Sequence, residues 1–203
     1  MVAAGVAGLG LAPHSGWAVV VALGGSGAEP RVLVRSRIEM VDPGVPESKQ
    51  PYHSVEGLEL DEAARRLEGH GVGAEANAYA GIRAVAEELS ERGYRVTSAG
   101  ILESSGRKGS SLVSILASHA LIHTADGDHF RNALAAAAER NGLAVSRVRA
   151  RDLEAEASAC LGRTPTRLRD AIKELGRQTG PPWGADQKMA ALLAWLLLGR
   201  AMR

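Results

Sequence analysis

Val6-Ala7-Gly8-Leu9-Gly10-Leu11-Ala12-Pro13-His14-Ser15-Gly16-Trp17-Ala18-Val19-Val20-Val21-Ala22-Leu23 decides the fold of this chain. Two apolar runs flank a short Pro13-His14-Ser15-Gly16 break. Apolar runs with β-branched residues read as buried strands, and a Pro/Gly break between them reads as a tight turn. The first strand is expected at about Val6–Leu11 and the second at about Trp17–Leu23. Gly24-Gly25-Ser26-Gly27 then turns the chain into a third run, Arg31 to Met40. There Val32, Val34, Ser36 and Ile38 alternate with Arg31, Leu33, Arg35, Arg37 and Glu39, the period of a strand with one solvated face. Its charge suits a sheet edge.

Further along, the periodicity changes. Asp42 to Leu58 holds three prolines and two glycines and reads as a long loop, of the kind that is often functional. Leu60 to Leu67 opens a short helix that Gly69-His70-Gly71-Val72-Gly73 is expected to end. Ala74 to Arg92 places Ala78, Ile82, Val85 and Leu89 on one helical stripe. Gly93 stops it, and Tyr94–Leu102 reads as strand four. Ser110 or Ser111 is placed to cap a helix from Leu112 to about Ile122. A helix over Asp126–Asn141, strand five over Leu143–Val148 and helices over 151–161, 164–178 and 185–202 complete the order. Three strands in a meander, followed by strands alternating with helices, predict a mixed α/β sheet.

The chain has 203 residues, enough for one domain, 1–203, with a substantial core. Aromatic residues make up only 3%, which argues against a base-stacking platform, and a net charge of +1 gives no global field for nucleic acid. Cys160 is the single cysteine, so no internal disulfide forms, and it lies in a helical pattern. No Lys or Arg precedes Arg31, and the apolar run Met189–Leu198 is too short to span a bilayer, so a cytoplasmic protein without a membrane segment is expected. That run is apolar nearly all round, which predicts a helix buried centrally or at a homodimer contact. Trp183 and Trp195 are expected in the core or at the same contact.

The order of elements resembles the ribonuclease-H-like superfamily, most of all its RuvC-type resolvase branch. Members of that branch carry a strand-one Asp followed by Pro-Gly and later Gly-aromatic-Ala/Gly-Val. They also carry a Glu ending strand four and an acidic residue opening the last helix. Here Ala12-Pro13-His14-Ser15-Gly16-Trp17-Ala18-Val19 occupies the first motif, Glu103 the second, and Asp186 in Gly184-Ala185-Asp186-Gln187-Lys188 the third. The chain also resembles a bacterial family with His-x-Gly-Trp and Val-Asp-Pro-Gly…His…Glu-Gly segments, a likeness that implies no activity. The resemblance implies a mixed five-stranded sheet with helices on both faces, and a site of Mg²⁺ or Mn²⁺ chemistry on nucleic-acid phosphodiesters. Two such ions about 4 Å apart need several carboxylates, and hard cations favour oxygen ligands. Ala12 and Pro13 stand where the first aspartate would be. Glu103 and Asp186 remain as metal ligands, with His14 as a substitute ligand or base. His53 and Glu56, in the long loop, are candidates to fold over the same strand end.

Two other clusters bear on function. Ser104, Ser105, Arg107, Lys108 and Ser110 offer cations, hydroxyls and flexible backbone N–H groups ahead of a helix, a setting for phosphate. The GxxxxGK[ST] spacing of a Walker loop is missing. His119, His123 and His129 with Asp126 and Asp128 look like a metal cluster, and His119 and His123 share a helix face. Ala120, however, stands where a zincin glutamate would be, and Asp126-Gly127-Asp128 reads as the turn and cap of a new helix. The reading favoured by the residues is a degenerate or non-catalytic ribonuclease-H-like module that binds nucleic acid or a protein partner. A metal-dependent nuclease and a phosphate or nucleotide binder are the alternatives.

Overall fold

The computed structural model describes residues 5–104, 106, 109 and 111–201. Five strands form one mixed sheet in the order β3-β2-β1-β4-β5. They are β1 (Gly5–His14), β2 (Trp17–Gly25), β3 (Pro30–Glu39), β4 (Tyr94–Glu103) and β5 (Ala144–Arg149). β1, β2 and β3 pair antiparallel, while β4 runs parallel to β1 and β5 parallel to β4. The helices are α1 (Leu60–Glu91), α2 (Leu112–Leu116), α3 (His119–Arg140), α4 (Leu153–Leu161), α5 (Pro165–Thr179) and α6 (Ala185–Ala201). No helix among the described residues is long and apolar enough to cross a membrane.

Alternation along β1 divides the core in two. Leu9 and Leu11 point to one face, where they meet Ile82 and Leu89 of α1 and Phe130 and Leu134 of α3. Ala12, with Val19 and Val21 of β2, belongs to the other face, beneath Trp195 of α6 and Leu168 of α5. Gly8 and Gly10 let α6 lie directly on β1. A Cβ on Gly10 would stand 1.8 Å from the Ala190 carbonyl oxygen. The apolarity of α6 is used within the chain: Leu193, Ala194, Trp195 and Leu196 are fully buried in the monomer. A homodimer contact is therefore not needed to account for it.

Three local expectations change. The run Leu60–Glu91 is one continuous helix through Gly69, Gly71 and Gly73. Each glycine costs a helix interior about 1 kcal/mol, and burial of Ala63, Ala74, Ala78, Ile82, Val85 and Leu89 on one face outweighs this. The helix expected at Asp126 begins seven residues earlier, at His119, so Asp126-Gly127-Asp128 lies mid-helix rather than at a cap. Ser111 does cap α2: its side chain accepts from the Ser114 N–H, and Ser114 returns the bond. The period-two pattern of β3 is also broken. A register shift opposite Ala22/Leu23 puts Val34 with the α1/α3 cluster while Val32 packs against the α6 cluster. Such an irregularity switches the face that following residues occupy.

A Cβ on Gly69 would meet nothing within 4 Å. Gly69→Ala is therefore expected to raise stability by about 0.5–1 kcal/mol, seen as a higher urea midpoint at unchanged slope. A lower midpoint would contradict a regular helix at this position.

Candidate functional site

The β1–β2 connection is a two-residue turn in which His14 pairs with Trp17, and Gly16 takes φ +85°. That φ suits glycine, which has no Cβ to clash. The turn aligns a stack. The His14 and Trp17 rings are nearly parallel, with centroids 4.1 Å apart. The Arg37 guanidinium lies 4.0 Å from the Trp17 centroid. Because β2 lies between β1 and β3, the indole is sandwiched, and its faces are not offered to a nucleobase. Beyond the stack, His14 Nε2 approaches Asp186 Oδ2 of α6 to 3.0 Å. The approach lacks the alignment of a hydrogen bond, so it is a close electrostatic contact. The first turn of α6 favours an acidic residue through the helix dipole.

Glu103 is placed differently. It ends β4 two residues after Ile101, which packs among the α1/α3 cluster. Its carboxylate accepts a hydrogen bond from Arg147 Nη1 at 2.7 Å, and the same guanidinium group reaches Asn132 of α3 at 3.0 Å. Thus His14 and Asp186 come together, while Glu103 is engaged by Arg147 of β5. Among the described residues these three do not form a common donor group for a cation. Three oxygen donors for the Mg²⁺ or Mn²⁺ implied by the resemblance are not assembled there. Glu56 caps the 3₁₀ turn His53–Val55 and is exposed. Ser104 Oγ lies 3.5 Å from Asp128 Oδ1. Ser105, Arg107, Lys108 and Ser110, named for phosphate binding, lie outside the described residues.

A constellation of titratable groups forms between the long loop and α3. The loop is not structureless: Pro46–Lys49 and His53–Val55 are 3₁₀ turns, and Pro51 and Val55 are buried. This anchoring presents His53 to α3. Asp126 of α3 is only 4% exposed. A buried carboxylate is costly unless it is well bonded. Asp126 Oδ1 accepts from the Tyr52 N–H at 2.7 Å, and its Oδ2 lies 2.5 Å from His53 Nδ1. A carboxylate oxygen accepts, so this contact engages His53 through Nδ1 and leaves Nε2 as the ring nitrogen turned away from Asp126. Burial, aided by the Asp126 and Asp128 charges, pushes the Tyr52 phenol above its ordinary value.

His119 and His123 stand one helical turn apart at the start of α3, with their Nε2 atoms 3.0 Å apart. One ring nitrogen from each of His53, His119 and His123 lies within 4.8 Å of the others. The ring centroids of His53 and His123 are 4.5 Å apart. The spacing of His119 and His123 already showed a common helix face. What hid the site was its third histidine, in a distant loop, and the expectation of a helix break at Asp126. His129 is not part of it. Its ring packs edge-on to Phe130 and Tyr52.

Burial, chiefly, holds the His129 imidazole below its ordinary value, and its Nε2 has no hydrogen-bond partner among the described residues. The unfolded chain would take up this proton near pH 6.5, whereas the folded chain resists it. The contribution of His129 is therefore intact above about pH 6.5 and is lost as pH falls through the folded value. His129→Gln should flatten the decline of melting temperature below about pH 6.5. An unchanged pH slope in the variant would refute this.

No known family model and no curated relative matches the sequence. Solved structures do match. Thermus thermophilus RuvC in complex with a Holliday junction substrate superposes with a TM-score of 0.53 at 13% identity, covering 97% of this chain and 95% of that one. A second Thermus thermophilus RuvC structure gives the same values. The mixed sheet and its helices thus match a ribonuclease-H-like fold along nearly the full length.

Proposed function

We propose that this chain is a RuvC-like module that binds nucleic acid without cleaving it through a paired-carboxylate metal centre. The observation that carries the reading is the end of β1: Ala12 is buried beneath α6, while His14 contacts Asp186 and Glu103 is held by Arg147. The full-length likeness to a protein solved with a Holliday junction supports nucleic acid as the partner. A net charge of +1 makes contact with phosphates a matter of local cations.

The test uses labelled four-way junction, duplex and single-stranded DNA of equal length. Binding should weaken as salt rises, because contacts to phosphates release counterions. Mg²⁺ or Mn²⁺ should leave the DNA intact. Failure to bind any of the three at low salt would remove nucleic acid as the partner. Cleavage that is lost in Glu103→Gln would establish the nuclease alternative instead.

A further inference from the structure

We propose that His53, His119 and His123 form a site for one Zn²⁺ ion, with Asp126 orienting His53 and water completing the coordination. The reading is independent of nucleic-acid binding.

Four observations carry it. First, three imidazoles converge from two separate elements, with donor nitrogens within 4.8 Å of one another. Tetrahedral Zn²⁺ with bonds of about 2.0–2.1 Å places its ligand nitrogens about 3.3 Å apart. His119 and His123 are already at 3.0 Å, and a ring nitrogen of His53, within 4.8 Å of theirs, closes the triangle by moving toward them. Second, the donors are chemically suited. Imidazole favours Zn²⁺ over Mg²⁺ or Ca²⁺, which prefer oxygen. Third, His53 is preset for ligation. Its Nδ1 is engaged by a buried carboxylate, which fixes the tautomer and raises the basicity of Nε2. Asp126 is itself held by the Tyr52 N–H, so the orienting group is anchored by backbone. Fourth, His119 and His123 are exposed, which gives an ion access. Three neutral histidines with an open fourth position form a donor set that zinc proteins use when a water must remain exchangeable.

An alternative account makes the three rings a solvated cluster with one shared hydrogen bond between His119 and His123. Metal titration separates the two. The full-length protein, stripped with chelator, is dialysed against Zn²⁺ and its metal content measured. Co²⁺ substitution reports the ligands through its visible absorption. Wild type should retain one Zn²⁺ per chain and give the intense bands of tetrahedral Co²⁺. His119→Ala/His123→Ala removes exposed side chains, so its fold should persist, and stoichiometric binding should be lost. Asp126→Asn should keep the ligands yet weaken affinity about 10–100-fold, an effect a purely structural role for Asp126 would not produce in a folded variant. His70→Ala, which removes a histidine outside the cluster, should bind like wild type. Absence of stoichiometric metal in wild type, or its retention in the double variant, would overturn the site. Neither result depends on whether DNA binds.

Discussion

Gly10→Val is expected to leave the protein unable to fold, with the product in inclusion bodies or lacking a cooperative melting transition. Gly10 lies mid-β1, on the face that α6 covers. A Cβ there would stand 1.8 Å from the Ala190 oxygen, 2.7 Å from the Ala190 carbonyl carbon and 3.0 Å from the Ala194 nitrogen. All three atoms are backbone, so no rotamer change relieves the clash. The helix itself would have to retreat, opening gaps around Leu193, Ala194 and Trp195. Overpacking that side chains can absorb costs about 1–3 kcal/mol. Here even Gly10→Ala should exceed about 3 kcal/mol, a large part of the stability of an ordinary domain. Chemical denaturation of Gly10→Ala, or circular dichroism if it refolds, provides the measurement. A wild-type midpoint would mean that α6 does not rest on β1 as described.

Trp195→Ala is expected to lower the melting temperature by roughly 6–20 °C, equivalent to about 3–5 kcal/mol. Trp195 is fully buried among Leu168, Leu193 and Leu198. Its Nε1–H donates to the Gly27 carbonyl at 2.9 Å, tying α6 to the β2–β3 turn. The Arg163 guanidinium lies 5.1 Å from the ring centroid. Truncation removes the largest side chain of this half of the core and leaves a cavity that helix and sheet cannot close together. Trp195→Phe separates the parts. It retains most of the apolar volume but loses the hydrogen bond, and should cost about 1–2 kcal/mol. Equal losses in both variants would place the stabilisation in the hydrogen bond rather than in packing.

Much of the architecture was legible locally. The apolar runs of β1 and β2, the Pro13–Gly16 break and the helical stripe through Ala78, Ile82, Val85 and Leu89 reflect preferences that a single element imposes on its own residues. Errors arose where long-range packing overrides local preference. Gly69, Gly71 and Gly73 oppose a helix, yet α1 is held by its buried face. Asp126 has the composition of a cap, but it lies inside α3 because Tyr52 and His53 satisfy its charge from elsewhere.

The site divides in the same way. The β1 end was readable as the position where an expected aspartate is replaced, and the contact of His14 with Asp186 follows from the packing of α6 on β1. Glu103 was readable as a strand-ending carboxylate, but its engagement by Arg147 depends on the register of β4 against β5. The histidine cluster went furthest beyond the sequence. His119 and His123 were visible as a pair one turn apart, and His53 was visible alone. By itself the sequence determined which residues share a strand or helix face, because that depends on backbone periods of 2.0 and 3.6 residues. Only the tertiary structure decided that the loop face bearing His53 docks at Asp126, because docking depends on burying Pro51 and Val55 and hydrogen-bonding a carboxylate inside the fold.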